Sequence, residues 1–152
     1  MTRWIVRAVE PRDHDRWREL FAAYRDFYEL EPDDGVLDTV WEWLTDASHE
    51  VRGLVAENPA DGAIASMAHY RTFARPSTAG TGLFLDDLFT DPATRGQGAG
   101  RALIEGVVER ARVDGTTKVR WITAPGNANV RRLYDSVASV RWVVYDLDPA
   151  VG

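Results

Sequence analysis

Arg95-Gly96-Gln97-Gly98-Ala99-Gly100 bring one arginine and three glycines to the point where the chain leaves an Asp91-Pro92 break and enters an apolar helical pattern. A helix N-terminus presents unpaired N–H groups and a partial positive charge, and glycine removes the Cβ that would hold a phosphate away from the backbone. Arg95 adds a full charge to the amides of the turn. The segment reads as a pyrophosphate-binding turn; the plainer reading is a flexible loop before an ordinary helix. Two other nucleotide motifs fail on these residues. A P-loop needs Gly-Lys followed by Ser or Thr, whereas Gly100 is followed by Arg101-Ala102. The dinucleotide fingerprint needs glycine at the first, third and sixth positions, but counted from Gly96 the sixth is Arg101, and from Gly98 it is Leu103.

Other chemistry-bearing residues surround this turn in the sequence. Asp86 and Asp87 interrupt an apolar strand pattern, and strand neighbours point to opposite faces, so one carboxylate is expected toward a site and the other away from it. A carboxylate in a central strand is costly without partners, which invites a functional role; a bulge or a solvated face is the alternative. Tyr134 shares a helical face with Val130, Leu133 and Val137, on which a tyrosine can simply pack. His69 is either a base or a hydrogen-bonded structural residue. Asp26, Glu29, Glu31, Asp33 and Asp34, interleaved with Phe27 and Tyr28 and followed by Trp41 and Trp43, resemble a mouth for a polyamine or another cationic amine. Tyr28, Glu31 and Trp41 are its candidate contacts, and a solvated acidic loop over an aromatic core is the other reading. His14 and His49 fall outside metal-ligand spacing and no cysteine is present, so no metal, disulfide or thiol nucleophile is expected.

The elements that must position these residues follow from periodicity. A strand over 4–9 precedes a helix marked by Trp17, Leu20, Phe21, Tyr24 and Tyr28, then a second helix marked by Leu37, Val40, Trp41 and Leu44. Strands are predicted over 51–56 and 63–73 around a hairpin loop at 58–62, followed by a Pro/Ser/Thr/Gly break over 75–82. A strand over 83–89, a helix over 98–113 and a strand over 118–123 form a βαβ unit. A last helix and a last strand over 141–147 complete the chain.

With 152 residues and 45% hydrophobic content, one domain over 1–152 suffices. Twenty-four acidic against 18 basic residues give a charge of −6, which disfavours nucleic acid and anionic membranes as partners and suits a cationic one. Without an apolar leader or a run of roughly 20 apolar residues, a cytoplasmic protein is expected.

The turn at 95–100 matches the Arg-x-x-Gly-x-Gly pattern of the GNAT superfamily of N-acetyltransferases. Leu85-Asp86-Asp87-Leu88-Phe89-Thr90 resembles that family's central strand, with two acidic residues before an apolar pair as in spermidine/spermine acetyltransferases. The segment from Asn127 to Tyr134 resembles its Asn-x-x-Ala-x-x-Leu-Tyr helix. The order of elements also agrees over nearly the whole chain. Ala138 and Ser139 depart from the pattern, standing where the family commonly has glycine and an aromatic residue, and Thr90 replaces an aliphatic one.

The resemblance implies an α/β (α+β) fold whose mixed, mostly antiparallel sheet splays beside the turn, with acetyl-CoA in the gap and flanking helices. It implies that the backbone of Leu88, Phe89 and Thr90 pairs with the pantetheine arm. Arg95, Gly96, Gln97, Gly98, Ala99, Gly100 and Arg101 would hold the pyrophosphate, Asn127 would contact the cofactor, and Tyr134 would be the general acid. Asp86 or Asp87 would bind the amine or deprotonate it through water. Direct transfer in a ternary complex needs a neutral amine, a stabilised oxyanion and a proton for the departing thiolate. A small cationic amine is the expected acceptor; a protein or peptide amine, a non-catalytic acyl-CoA sensor and an interaction scaffold are the rivals. A homodimer is compatible with family habit.

Overall fold

The structure is a computed structural model that describes residues 3–150. It divides into two compact units, with the boundary between Ile122 and Thr123. The first unit runs β1 (Ile5–Ala8), α1 (His14–Phe27), α2 (Asp34–Thr45), β2 (Val51–Glu57), β3 (Ile64–Arg75), β4 (Gly80–Thr90), α3 (Ala99–Asp114) and β5 (Val119–Arg120). Its five strands lie in the order β1-β2-β3-β4-β5, antiparallel from β1 to β4 and parallel between β4 and β5. This is the mixed, mostly antiparallel sheet expected, and β4-α3-β5 is the expected βαβ unit.

Alternation along the strands supplies two apolar faces. Val55 and Met67 pack with Trp17, Leu20 and Phe21 of α1 and with Leu37 and Val40 of α2. Leu54, the neighbour of Val55, lies with Val6 beneath α3 at Gly106. The α3 stripe of Leu103, Ile104, Val107 and Ala111 is buried, as the helical spacing predicts. Asp33 starts α2 by accepting a hydrogen bond from the Val36 amide, and Arg18 of α1 pairs with Asp34 and Asp38 of α2. No helix among the described residues is long and apolar enough to cross a membrane.

Three elements differ from the sequence reading. The break at 75–82 is much shorter: β3 reaches Arg75 and β4 begins at Gly80. Gly82 belongs to the strand because a Cβ there would lie 2.7 Å from the Phe73 ring and 3.2 Å from the Lys118 carbonyl, so this glycine serves close packing and not a turn. The strand expected over 118–123 is only Val119–Arg120. In the second unit, α4 (Ala128–Val137) forms as expected, but residues 141–147 form no strand, and Trp142 and Tyr145 are 73% and 91% exposed. Alternation and β-propensity make a strand only where a backbone ladder is available, and none forms there.

The start of the sheet is held by Arg7. Its guanidinium bonds both oxygens of Asp13 at 2.7 and 2.9 Å and Glu57 of β2 at 2.7 Å, while the Glu10 amide donates to Asp13 at 2.8 Å. Burial alone would raise the pKa of Asp13, which is 3% exposed, but Arg7 and the Glu10 amide hold it below the usual carboxylate value. Arg7→Leu is expected to remove about 3 kcal/mol from the unfolding free energy, because it strands a buried carboxylate. Urea titration checks this. A depressed native pKa contributes stability above the unfolded pKa and loses it in acid, so the difference between variant and parent should shrink as pH falls below about 3.8.

Candidate active site

The glycine turn sits between β4 and α3. Asp91 closes the strand end: its side chain accepts from the Ala93 amide at 2.9 Å and pairs with Arg16 of α1 at 2.5 Å. Arg95 lies over the Phe89 ring at 5.6 Å, with Nε 3.4 Å from the Thr90 carbonyl. Gly96 and Gly98 have φ of +81° and +89°, the left-handed region that glycine enters freely. A Cβ at either would meet no atom within 4 Å, so these glycines serve the backbone conformation and leave the space above the turn open. Gly98 begins α3 without a side-chain cap, the Ala102 amide bonds back to its carbonyl at 3.0 Å, and Ala99 is buried against the core. Gln97 is tied by its carbonyl, which accepts from the Trp4 indole at 2.9 Å. Uncapped amides at a rigid helix start, flanked by Arg95, suit a phosphorylated ligand.

β4 leads into this turn with one edge open. β5 pairs with it only at Leu83 and Phe84, whereas Leu88, Phe89 and Thr90 have Ala68, Met67 and Ser66 of β3 opposite them and no strand of this unit on the other side. Ser66, fully buried, donates to the Phe89 carbonyl at 2.8 Å and lies 3.0 Å from the Thr90 hydroxyl. Backbone groups on such an edge can take an extended ligand arm as a further strand would be taken.

The β3–β4 register shifts between His69 and Tyr70: Asp87 stands opposite His69 and Leu85 opposite Tyr70, with Asp86 as the extra residue. This bulge corrects the expectation that the two aspartates face opposite sides, because the extra residue lets both line one cavity of about 440 Å³. Its walls include Glu50, His69, Arg71 and the Trp43 ring, which stacks on His49 at 4.8 Å. Arg71 Nε lies 3.2 and 3.1 Å from the two oxygens of Asp86, and its guanidinium lies 4.9 Å from the Phe84 ring centre. Burial pushes the Asp86 pKa upward, with Arg71 opposing and Asp87 adding to the rise.

The other expected site residues lie elsewhere. Trp41 packs on Trp17 and His14 at 5.1 and 4.9 Å, Tyr28 leans on Tyr24 and Phe27, and Glu31 accepts from Arg25 through its carbonyl. None of these three lines the cavity. Asp33 and Asp34 of the acidic loop are engaged as a helix cap and as the partner of Arg18. In the second unit Asn127 precedes α4 without capping it, its amide 3.4 Å from the Thr123 hydroxyl, and Tyr134 lies on α4. Glu50, His49 and Arg71 line the cavity without having been singled out for it. The alternation of β3 that puts Arg71 on the same face as His69 was the available signal for Arg71.

The sequence model of the Acetyltransferase (GNAT) family matches residues 16–138. A D-amino-acid N-acetyltransferase of Saccharomyces cerevisiae is 30% identical over 136 residues, 90% of this chain and 84% of the relative. Among solved structures, a ribosomal-protein-alanine N-acetyltransferase from Brucella melitensis biovar Abortus 2308 superposes with a TM-score of 0.77 at 21% identity, covering 96% of this chain and 99% of that one. An aminoglycoside N-acetyltransferase in complex with CoA superposes with a TM-score of 0.77 at 18% identity, covering 98% and 97%.

Arg71→Met removes the positive charge that opposes the burial of Asp86, so the Asp86 carboxyl is expected to titrate at still higher pH in the variant. Carboxyl-carbon NMR titration of both proteins reads this, and an unchanged or lowered Asp86 midpoint would show that Arg71 does not set its charge.

Proposed function

The chain belongs to the acetyltransferase (GNAT) family and is an N-acetyltransferase, and we propose that it transfers an acetyl group from acetyl-CoA to the primary amine of a small cationic substrate. The observation that carries this reading is the bulge at Asp86, which turns Asp86 and Asp87 into one cavity beside the end of β4. Glu50 lines the same cavity, so three carboxylates face one guanidinium, a balance that favours an ammonium group. The Trp43 face offers a further attraction for it.

The residues at the turn fit acetyl-CoA. The space over Gly96 and Gly98 is open, α3 starts uncapped, and the β4 edge is unpaired at 88–90 within its unit. Arg95, Gly96, Gln97, Gly98, Ala99, Gly100 and Arg101 would hold the pyrophosphate, the backbone of Leu88, Phe89 and Thr90 the pantetheine arm, and Asn127 a further contact. Acetyl-CoA supplies an acyl group activated as a thioester. The protein's part is to bring the amine in, strip its proton and supply one to the sulfur. A free alkylammonium has a pKa of about 10.4, so near neutral pH a carboxylate or a water it orients must take the proton before attack. Tyr134 is the proposed proton donor to the departing sulfur.

One observation favours a second form of substrate. Arg71 places a cation in a cavity that otherwise attracts ammonium, which suits an amine that also carries a carboxylate. The yeast relative is a D-amino-acid N-acetyltransferase, in line with that form.

Incubation with acetyl-CoA and a panel of polyamines, D- and L-amino acids, aminoglycosides and peptides, followed by thiol release and product mass, separates the two. Acetylated di- or polyamines are the expected products; products confined to amino acids would establish the second form, and thiol release with no amine would overturn the reading. Tyr134→Phe is expected to lower kcat by about 10²-fold with near-normal acetyl-CoA affinity. A variant with parental kcat would remove Tyr134 from the chemistry.

A further inference from the structure

His69 is 2% exposed and is held from two sides. Trp17 Nε1, on α1 and fully buried, donates to His69 Nε2 at 2.9 Å, and His69 Nδ1 lies 2.8 Å from Asp87 Oδ2 on β4. An indole N–H only donates, so Nε2 must keep its lone pair, and the single proton of a neutral imidazole then sits on Nδ1, directed at Asp87. A second proton on Nε2 would set two N–H groups against each other at 2.9 Å. The Phe21 ring, roughly perpendicular to the imidazole with its centre 4.8 Å from the imidazole centre, closes another side of it.

The two aspartates are held differently. Both oxygens of Asp86 lie within 3.2 Å of Arg71 Nε. Asp87 is engaged by His69 through Oδ2, and Oδ1 accepts no bond from another side chain among the described residues. The charged or titratable groups that share the cavity with His69 are Asp87 and Asp86 from β4, Arg71 from β3, and Glu50 and His49 on its wall; from α1, Trp17 and Phe21 contact the ring, and Tyr24 packs behind Phe21.

Resting on the proposed acetyl transfer at this cavity, we propose that Trp17 is a positioning residue whose indole N–H locks His69 in the Nδ1–H tautomer, so that Asp87 and not His69 receives the proton of the substrate ammonium. The substrate N–H bond breaks, its electron pair stays on nitrogen for attack on the acyl carbon, and an O–H bond forms at Asp87 Oδ1. His69 keeps its one proton throughout and fixes the Asp87 carboxylate through Oδ2. The proton on Asp87 is then lost to solvent. A cavity-facing histidine would ordinarily be the first candidate base; here its outward nitrogen is bound to a carboxylate and its inward nitrogen is occupied from the core.

The tautomer is read directly by long-range 1H–15N NMR of histidine-labelled protein without substrate. The expected spectrum has His69 protonated on Nδ1 alone across the pH range of activity. A proton on Nε2, or a doubly protonated His69 in that range, overturns the proposal whether or not acetylation is observed. Trp17→Phe keeps a ring in place and removes the donor: the His69 proton is expected to redistribute between the nitrogens, and kcat to fall on the order of tenfold, the scale of a misoriented base. The kcat pH profile of the variant should then differ from the parent's, because a second nitrogen is free to take the substrate proton. A folded Trp17→Phe protein, judged by near-ultraviolet circular dichroism, with the parental tautomer and pH profile would equally overturn it. Loss of acetyl transfer in the parent protein together with the Nδ1–H tautomer would count against the enzymatic part of the proposal alone, so the two failures are distinguishable.

Discussion

The extra residue at Asp86 changes the phase of everything after it in β4. Ahead of the bulge, Phe84 faces the side of the sheet that carries Arg71 and Phe73, which sends Leu83 and Leu85, both buried, to the opposite face. Strict alternation would then carry Asp87 and Phe89 to the face of Leu83 and Leu85, beneath α3. With one residue inserted, Asp87 instead meets His69, and Phe89 joins Trp17, Phe21 and Met67 in the α1 core. A single irregularity therefore permits the packing of α1 on the end of β4 and also brings two carboxylates into one cavity. Such a device costs a ladder bond or two and re-aims a whole strand end.

Two carboxylates on adjacent residues repel each other, and their partners resolve this in different ways. Asp86 is compensated by charge: Arg71 spans both of its oxygens while lying over Phe84, a combination of planar cation and ring that lysine would not reproduce. Its burial still prevails, and its pKa lies above the ordinary value. Asp87 is compensated by the hydrogen bond between its Oδ2 and His69 Nδ1, and Trp17 holds the other nitrogen of that ring from the core. The aromatic core beneath α1 thus reaches the cavity through one indole nitrogen, and packing and site electrostatics are parts of one arrangement.

Much of this was legible in residue types and spacing, because helices declare themselves locally. The stripes of α1, α2 and α3, the glycine turn and the acidic pair of β4 all follow from patterns within a few residues. What depended on a partner strand was not legible. The bulge is a property of the β3–β4 ladder, and the sequence of β4 alone allowed it only as an alternative to opposite-facing aspartates. Gly80 and Gly82 looked like turn residues, yet Gly82 lies flat against Phe73 inside the strand. Residues 141–147 carry a strand's alternation and form none. Trp41 and Trp43, two residues apart on α2, take different roles, the first against Trp17 and the second at the cavity wall, a choice made by where α2 rests and not by its own pattern.

The glycines near the two ends of β4 answer to different constraints. At Gly82 the missing side chain lets a ring and a carbonyl come close, so the protein itself fills the space that a Cβ would need. At Gly96 and Gly98 nothing comes within 4 Å, although both hold a left-handed backbone that other residues enter only with strain. A turn of this kind is not explained by anything it packs against. It is nevertheless held firmly from the sides, by Trp4 on the Gln97 carbonyl, by Arg16 on Asp91 and by Ala99 in the core. A rigid backbone, shaped at some cost and facing open space at a helix start, is what a phosphate site requires, since amides already in place lose little further freedom when the anion arrives.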